Sequence, residues 1–513
     1  MLIFLNAYLD AMIGVDLVNN IFDKRTLRKI TILYYIVNNQ SKSNLNDISN
    51  YLECNIRTTK SLINELSSEI KDWNSQAYLK LKIDQQSNSI DLFIPSLVSI
   101  HEMYLYYLER NITFNALKTL FFDNSFELNK YAINNYVSYT TMYKNMKLVS
   151  EKVLSRYELE FHTNVKSNIV GSEVQKRLFY FEFFWYSYSG IKWPFETIKK
   201  ESFDFLFSYI EKIRKQSIGL SEKEILRHYF AIIFYRIENN EICDKSILEN
   251  DLLIDSKHFD LIKKDTIPAY QNMFPKLTNE EVESEVAFLY LTVFGLEYHV
   301  EDNSIVSEMM FYVQTHQVNV VEYTNLWMKE FLLSFDVSLN AKEYSLLYAN
   351  LIHVHSRILL YKGIESITED IPEMSKPIKS EIINFYNQLV KKMNYNESFV
   401  KNEKYLINKY QLLISRHIRN KSLNNPVNVC ILSIYGGEVI KDFIDLLKNN
   451  NLDEMVNVTI SLDEIVDVII TDRIYDSIKD SNVETLLWEV YPTQKSKMTI
   501  INFLKNLILK KNT

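Results

Sequence analysis

Glycine and proline are scarce in this sequence, with only eight of each among 513 residues. Both residue types punctuate turns and interrupt helices, so their scarcity predicts a mainly helical protein. No GxGxxG or GxxxxGK(S/T) stretch occurs, and the only adjacent glycines are Gly436 and Gly437. Because phosphate-binding loops need clustered glycines, the sequence argues against a nucleotide-handling enzyme. We predict no catalytic site and no cofactor.

Cysteine is also rare, and Cys54, Cys243 and Cys430 are far apart without any CxxC pair. Disulfides and a structural zinc site are therefore not expected, and a reducing compartment fits this usage. No apolar run approaches the length needed to span a membrane. The apolar start of the chain lacks the basic segment and cleavage site of a secretory signal. We expect a cytoplasmic protein with no metal site and no membrane partner.

Basic residues do not dominate, because the formal net charge is −8. Their distribution is uneven, however. Between Lys24 and Lys80 there are nine Lys or Arg residues against five Asp or Glu residues, and residues 141–169 contain five against three. A mildly positive N-terminal region on an acidic body is compatible with DNA binding.

The first periodic region has the layout of a winged helix-turn-helix. Hydrophobic periodicity predicts helices at 27–37, 45–52 and 56–70, a polar turn at 41–44, and strands at 79–83 and 90–94. Three helices followed by a hairpin form the winged variant of this DNA-binding motif.

A similar layout follows directly. We predict one long helix at 99–121, a second opening at Ser125, a third at 139–157, and wing strands at 159–162 and 165–171. The two units share a pattern without a detectable sequence repeat. Finding the pattern twice in tandem makes a chance match less probable than a single match would be.

The remainder of the chain divides into a long helical region and an α/β tail. Residues 172–418 read as nearly continuous helix, and the last hundred residues alternate β-branched runs with helices, which predicts a parallel sheet. The predicted fold class is mainly α and multidomain. The predicted domains are 1–95 with the first winged helix-turn-helix, 96–171 with the second, helical bundles at 172–286 and 287–420, and an α/β domain at 426–513.

The third helix of each unit carries polar side chains that suit DNA. Arg and Asn can make paired hydrogen bonds to base edges, and Lys and hydroxyl groups can hold phosphates. The candidate contacts are Arg57, Thr58, Thr59, Lys60, Asn64, Thr140, Thr141, Lys144, Asn145 and Lys147. Lys80, Lys82 and Lys166 in the wings could reach the adjacent backbone. The alternative is a solvated helix face, which a single such helix would favour.

Taken together, the order of parts resembles the Mga/AtxA family of virulence regulators of Gram-positive bacteria. This resemblance implies that the bundles are similar to PTS regulation domains (PRDs), which sugar-phosphotransferase proteins phosphorylate on histidine. It implies that the tail is similar to the EIIB component of sugar transporters and supports a homodimer. The implied partners are promoter DNA and phosphotransferase phosphocarrier proteins.

The resemblance also singles out two histidines. In the PRD pattern an Arg follows a His by about two turns, which is similar to His228 and Arg236, with Arg227 as a second nearby cation. His353 is followed by Arg357 after only four residues. The alternative for both is a structural histidine. An EIIB enzyme has a nucleophilic Cys after its first strand, whereas Cys430 falls inside the strand here, so we predict no phosphotransfer catalysis.

The predicted function is a DNA-binding transcription regulator, a global or virulence gene activator tuned by histidine phosphorylation. The alternative is a protein-interaction scaffold or anti-regulator that does not bind DNA directly. The salt dependence of binding to random duplex DNA distinguishes them, since phosphate contacts release counterions.

Overall fold

The computed structural model describes residues 21–511, apart from 39–41, 74–79, 84–87, 94–99, 124–125, 164–167, 189–190, 215–217, 219, 254–256, 295–318, 336, 365–375, 419–426, 433–436, 451, 453–454, 460–465, 472–477, 479–482 and 488–493. The chain divides into two compact units, Met1–Leu412 and Leu413–Thr513. Among the helices so described, none combines the length and apolar character needed to cross a bilayer.

Helices dominate the first unit, as predicted. They are α1 (Lys24–Asn38), α2 (Leu45–Tyr51), α3 (Ile56–Trp73), α4 (Ile100–Arg110), α5 (Ile112–Phe122), α6 (Leu128–Asn134), α7 (Tyr139–Lys152), α8 (Glu173–Tyr188), α9 (Asp204–Arg214), α10 (Leu220–Glu238), α11 (Lys257–Met273), α12 (Asn279–Phe294), α13 (Asn319–Ser334), α14 (Ala341–Leu360), α15 (Lys376–Lys392), α16 (Glu397–Lys401) and the greater part of α17 (Glu403–Ile418). The strands are β1 (Lys42–Asn44), β2 (Lys80–Ile83), β3 (Ser89–Phe93), β4 (Glu160–Phe161) and β5 (Ile169–Val170).

The first module contains the three predicted helices and the predicted hairpin. Strands β2 and β3 pair antiparallel, with Leu81 opposite Leu92. The predicted polar turn at 41–44 is wrong in part, because β1 pairs with the other edge of β3 and completes a three-stranded sheet. Backbone pairing to β3 makes this short polar segment a strand although it has no apolar alternation.

The second module departs from the predicted single helix at 99–121. The helix is interrupted at Asn111, whose Oδ1 accepts hydrogen bonds from the backbone N–H groups of Thr113 and Phe114 at 2.9 and 3.0 Å. Its Nδ2 donates to the carbonyl oxygen of Ile21 at 2.8 Å. Asn is a preferred N-cap because its side chain satisfies the free N–H groups of a first turn. Asn111 therefore ends α4 and starts α5.

The wing of the second module is short. After α7 the chain makes a 3₁₀ turn at Leu154–Tyr157, and Glu158 adopts a left-handed conformation with φ of 56°. Strands β4 and β5 then pair antiparallel, with Phe161 opposite Ile169. The predicted wing is present in the residues described on either side of 164–167.

Aromatic packing joins the second module to the helical region. Phe121 on α5 stacks on Tyr235 of α10 at 4.8 Å between centroids and meets the edges of Tyr180 and Phe184 of α8 at 4.7 and 5.0 Å. Offset and edge contacts of this kind stabilise aromatic cores beyond simple burial. Part of the aromatic content thus serves as helical core, as predicted, and it holds the module on the bundle.

The second module also contacts the later helices directly. The Gln175 amide donates to the carbonyl oxygens of Tyr157 and Lys362, each at 3.1 Å. The Glu158 carboxylate forms ion pairs with Lys362 and Lys401. A Cβ at Gly363, whose φ is +71°, would lie 2.1 Å from the backbone oxygen of Arg156. Only glycine permits the backbone at position 363 to come this close to Arg156. The chain just before β4 therefore packs closely against residues 362–363, far along the sequence.

The predicted boundary between the bundles, at 286/287, lies inside the continuous helix α12. The first helical set packs around α8, α10 and α12, and the second around α13, α14, α15 and α17. In the second set, Trp327 of α13 is fully buried and packs against Phe385 and Tyr410, each at 5.4 Å between centroids.

The C-terminal unit is a small α/β layer with the predicted parallel sheet. Its elements are β6 (Val427–Leu432), α18 (Gly437–Asn449), β7 (Val456–Thr459), β8 (Val468–Thr471), β9 (Glu484–Leu487) and α19 (Gln494–Lys511). The strand order is β7-β6-β8-β9, and every pairing is parallel. Cys430 lies inside β6 and is completely buried, as predicted. The loop at 433–436 lies outside the described residues.

Candidate nucleic-acid interface

The first module positions α3 through a short turn after α2. Asn55 precedes the helix, and its Oδ1 accepts a hydrogen bond from the backbone N–H of Thr58 at 2.8 Å. Leu62, Ile63 and Leu66 are buried and anchor the inner face of α3. This packing fixes which side chains of the helix point into solvent.

Arg57, Lys60 and Asn64 are exposed on the outer face of α3, and Thr58 is half-buried. Thr59 must be withdrawn as a DNA contact. Its side chain is completely buried, and its hydroxyl donates to the carbonyl oxygen of Asn55 at 3.3 Å. A threonine commonly turns its hydroxyl back to the preceding turn in this way, so the prediction was wrong for this residue.

Two acidic side chains of α3, Glu65 and Glu69, have basic partners on α1. The Glu65 carboxylate binds the Arg25 guanidinium, and the hydrogen bond from Arg25 lowers the pKa of Glu65. The Glu69 carboxylate forms an ion pair with Lys29 and accepts a hydrogen bond from the Tyr107 hydroxyl at 2.5 Å. Two of the three acidic residues of α3 are thus paired, Asp72 near its C-terminal end is exposed, and Arg57 and Lys60 are exposed in its first turns.

The second module presents α7 in the same manner. The turn after α6 places Tyr136 at a positive φ of 56°. Ser138 then caps α7, with its Oγ accepting from the backbone N–H of Thr141 at 3.1 Å. Met142, Met146 and Val149 are buried on the inner face.

Four of the five predicted contacts on α7 are exposed, namely Thr140, Thr141, Lys144 and Lys147. Asn145 is the exception. It is half-buried, and its amide donates to the Thr113 hydroxyl at 3.1 Å. The amide that would read an adenine is instead used to dock α7 on α5, so Asn145 is withdrawn as a base contact.

Sequence reasoning missed the tyrosines of this module. Tyr136 is 99% exposed, and Tyr139 and Tyr143 are 43% and 41% exposed. Tyr139 and Tyr143 stack on each other along α7, with ring centroids 6.0 Å apart and planes inclined by 22°. Their spacing of four residues, out of register with the buried methionines, is the signal that could have placed them on the outside.

The remaining predicted basic contacts belong to the wings. The backbones of Lys80 and Lys82 lie in β2, paired with Phe93 and Asp91. Lys166 lies outside the described residues. The three-stranded wing sheet therefore carries two lysines close in sequence to the end of α3.

His228 lies in the middle of α10, and it is 1% exposed. Its Nδ1 lies 2.8 Å from the carbonyl oxygen of Glu224, and the rings of Trp185 and Trp193 meet it edge-on at 5.1 and 5.0 Å. Burial lowers the pKa of His228 to about 4. The imidazole is thus a neutral core group in this conformation.

Arg227 and Arg236, the two cations that the resemblance associates with His228, are paired with carboxylates. Arg227 pairs with Asp204 at 2.6 Å and with Glu224 at 2.9 Å. Arg236 donates to both carboxylate oxygens of Glu173, at 2.8 and 2.7 Å. Neither guanidinium is placed as a phosphate receptor here.

His353 on α14 is also about 1% exposed. Its neighbour His355 is fully buried, 2.8 Å from the Thr324 hydroxyl through Nδ1 and 2.8 Å from the Tyr410 hydroxyl through Nε2. Burial lowers the pKa of His355 to about 3. His355 therefore ties α13, α14 and α17 together.

Two modules, each with a capped helix that follows a short helix and precedes antiparallel strands, have the architecture of winged helix-turn-helix DNA-binding regulators. Residues 97–184 match the Mga helix-turn-helix domain. That range covers the second module, from the residues before α4 to most of α8.

Three relatives agree with this class. The chain is 19% identical over 358 residues to a putative trans-acting regulator of Streptococcus pneumoniae serotype 4, covering 69% of this chain and 68% of the relative. It is 25% identical over 219 residues to the capsule synthesis positive regulators AcpB and AcpA of Bacillus anthracis, covering 42% of this chain and 43% of each relative. Through the domain match and these relatives, the chain is similar to regulators of the Mga/AtxA family.

Proposed function

We propose that this protein activates transcription by binding promoter DNA with α3 and α7 of its two helix-turn-helix modules. The observation that carries the proposal is the exposure of Arg57, Lys60 and Asn64 on α3 together with Lys144 and Lys147 on α7. Each group lies on the outer face of a helix whose inner face is buried, as entry into a major groove requires. Both relatives named as capsule regulators are positive regulators, which supports activation.

Removing two charges from α3 tests the first module. We expect Arg57→Ala with Lys60→Ala to weaken binding of the full chain to promoter duplex by about ten-fold or more, since a good base or phosphate contact contributes about 1–3 kcal/mol. If both groups contact phosphates, the slope of log affinity against log salt falls by roughly two. Fluorescence anisotropy at several salt concentrations measures both quantities.

The matched control removes two exposed lysines of the helical region, Lys264→Ala with Lys276→Ala. It changes the net charge of the chain equally but lies far from either module in sequence. Equal loss in both double variants would show a nonspecific charge effect. Unchanged affinity and salt slope in the α3 variant would contradict the assignment and favour the scaffold alternative.

Regulation through histidine phosphorylation is proposed from the family resemblance, with a steric condition. His228 and His353 are each about 1% exposed, so a phosphocarrier protein can reach them only when the surrounding helices open. Adding a phosphoryl group to either imidazole would place roughly two negative charges inside the bundle, which the closed packing would resist. Phosphorylation would therefore stabilise an open state at the expense of the closed one.

This regulatory step is tested by phosphotransfer to the full chain from phosphoenolpyruvate, enzyme I and the histidine phosphocarrier protein. We expect slow, acid-labile labelling that speeds up at urea concentrations below the unfolding transition, because opening limits the reaction. His228→Ala and His353→Ala identify the site by loss of label, and His162→Ala, an exposed histidine, is the control. Labelling that persists in the double variant His228→Ala, His353→Ala would contradict this role.

We further propose that the C-terminal unit mediates homodimerisation. Leu487 on the edge strand β9, and Met498 and Leu509 on α19, are 59%, 51% and 65% exposed. Exposed apolar side chains and a parallel-sheet edge are features that a second copy can cover. Sedimentation equilibrium of the wild type and of Leu509→Asp measures the association.

A further inference from the structure

The outer face of α7 differs chemically from that of α3. On α3 the exposed groups include Arg57 and Asn64, which can make paired hydrogen bonds to guanine and adenine. On α7 no arginine occurs, and the amide of Asn145 is committed to Thr113. For contact with a purine edge, the outer face of α7 thus has Lys144 and Lys147 but no arginine and no free amide.

What α7 offers instead is a pair of tyrosines. Tyr139 and Tyr143 stack one turn apart and are each about two-fifths exposed, next to the exposed groups Lys144 and Lys147. Large apolar groups clustered at a surface indicate an interaction site. The rings stand beside the polar face of α7, so they are continuous with the surface that the proposed function assigns to DNA.

Charge favours DNA over an acidic or neutral protein as the occupant. Residues 127–152, which span α6, the turn and α7, contain four lysines against two acidic residues, Glu127 and Glu151, and Glu151 lies 3.8 Å from Lys147. The N-terminus of α7 adds its helix dipole to this positive region. A polyanion is therefore the partner that the surroundings of the tyrosines attract.

We infer that Tyr139 and Tyr143 read thymine in the major groove, which makes the second module selective for A·T-rich sequence. The inference rests on the proposed function. The C5-methyl of thymine is the apolar group that the major groove displays, and apolar side chains recognise it by contact. Two stacked rings can cover methyl groups on neighbouring base pairs. The two modules thus read different base pairs, purine edges by α3 and thymine methyls by α7.

Uracil in place of thymine removes only the methyl group, so it provides the test. The probes are an alternating d(A-T) duplex and a d(A-U) duplex of equal length, titrated with the full chain by anisotropy. Burying one methyl group changes affinity by about four-fold. We expect wild type to prefer the thymine duplex by about four-fold to fifteen-fold, for one or two methyls covered.

Three variants distinguish the contribution of the two aromatic rings to the thymine preference from that of their hydroxyl groups and from that of an unrelated exposed tyrosine. Tyr139→Ser with Tyr143→Ser should bind the two duplexes equally, whereas Tyr139→Phe with Tyr143→Phe should keep the preference because the rings remain. Tyr395→Ser removes a tyrosine that is 66% exposed outside the modules and should leave the preference unchanged. Thermal unfolding by circular dichroism checks that each variant is folded.

Each alternative result has a distinct meaning. Salt-dependent binding with no thymine preference in the wild type overturns the inference and leaves DNA binding intact. Equal weakening of the serine and phenylalanine variants on both duplexes indicates hydroxyl contacts to phosphate and also overturns it. Wild-type affinity and preference in the serine variant mean that the tyrosines face another partner, such as a protein. Absence of any salt-dependent binding to duplex DNA overturns the proposed function itself.

Discussion

Replacing Arg177 by alanine is expected to destabilise the first unit by about 3–5 kcal/mol, the cost of leaving a buried charge without its partner. Arg177 on α8 is 1% exposed and donates to both oxygens of Glu285 on α12, at 2.6 and 2.9 Å. It also donates to Glu173 at 3.0 Å. Without Arg177, the fully buried Glu285 would keep the backbone N–H of Cys243, at 2.8 Å, as a donor, which cannot neutralise its charge.

The control is an arginine with similar geometry at the surface. Arg25 also binds a carboxylate through two nitrogens, but both side chains are substantially exposed, so Arg25→Ala should change the free energy of unfolding far less. The double variant Arg177→Met, Glu285→Leu should recover most of the loss, because it removes both charges and keeps the volume. Urea denaturation measures all three. A loss for Arg177→Ala no larger than that for Arg25→Ala would contradict the importance of the buried pair.

Acidification is expected to destabilise the first unit at pH values well above those at which carboxylates titrate. His228 and His355 have pKa values of about 4 and about 3 in the folded protein, against 6.5 for a free imidazole. Between pH 6.5 and the folded pKa, each of these histidines is therefore protonated in the unfolded chain and neutral in the folded chain. The stability that each neutral histidine contributes is present above pH 6.5 and is lost as the pH falls toward the folded pKa.

The size of this effect follows from the same pKa values. Between about pH 7 and about pH 5, each histidine lowers the free energy of unfolding by about 2 kcal/mol, at 1.36 kcal/mol per pH unit below the unfolded pKa. The two together give about 4 kcal/mol. Burial raises the pKa of Glu173, but hydrogen bonds and charges from its arginine partners lower it further, so the net shift is downward. The stability that this carboxylate contributes is therefore lost only below about pH 4.5. The carboxylates therefore act in a separate, more acidic window.

Urea denaturation followed by tryptophan fluorescence measures the pH dependence. Trp185 and Trp193 pack on His228, and Trp327 packs on Tyr410, the partner of His355. His228→Gln and His355→Gln should each remove about half of the difference in stability between the two pH values, whatever they do to stability itself. The exposed His162 supplies the control His162→Gln. A wild-type pH dependence retained in both buried variants would rule out these histidines as its source.

The elements and their order follow from local sequence. Leu62, Ile63 and Leu66 are spaced for one face of α3, and Leu81 and Leu92 alternate in the wing strands, because burial selects residues with the period of the element. The same reasoning located the second module and the parallel sheet at the C-terminus. These patterns are local, so one sequence suffices to find them.

The direction of individual polar side chains was less predictable. Thr59 and Asn145 lie beside exposed neighbours in the sequence, yet one hydroxyl bonds back to Asn55 and one amide bonds to Thr113. At the edge of a helical face, a shift of a few degrees in packing decides whether a short polar group meets solvent or backbone. The break at Asn111 has the same origin, because a helix-capping side chain competes locally with helix continuation.

The sequence by itself determined that this protein is mainly helical, contains two tandem helix-turn-helix modules and ends in a parallel α/β unit, because hydrophobic period records which face of each element is buried. Tertiary structure alone decided that Arg177 pairs with Glu285, 108 positions away. It also decided that Gly363 meets Arg156 and that His228 is a neutral core group. Such contacts join residues distant in the chain, and they depend on how the elements pack rather than on any local pattern.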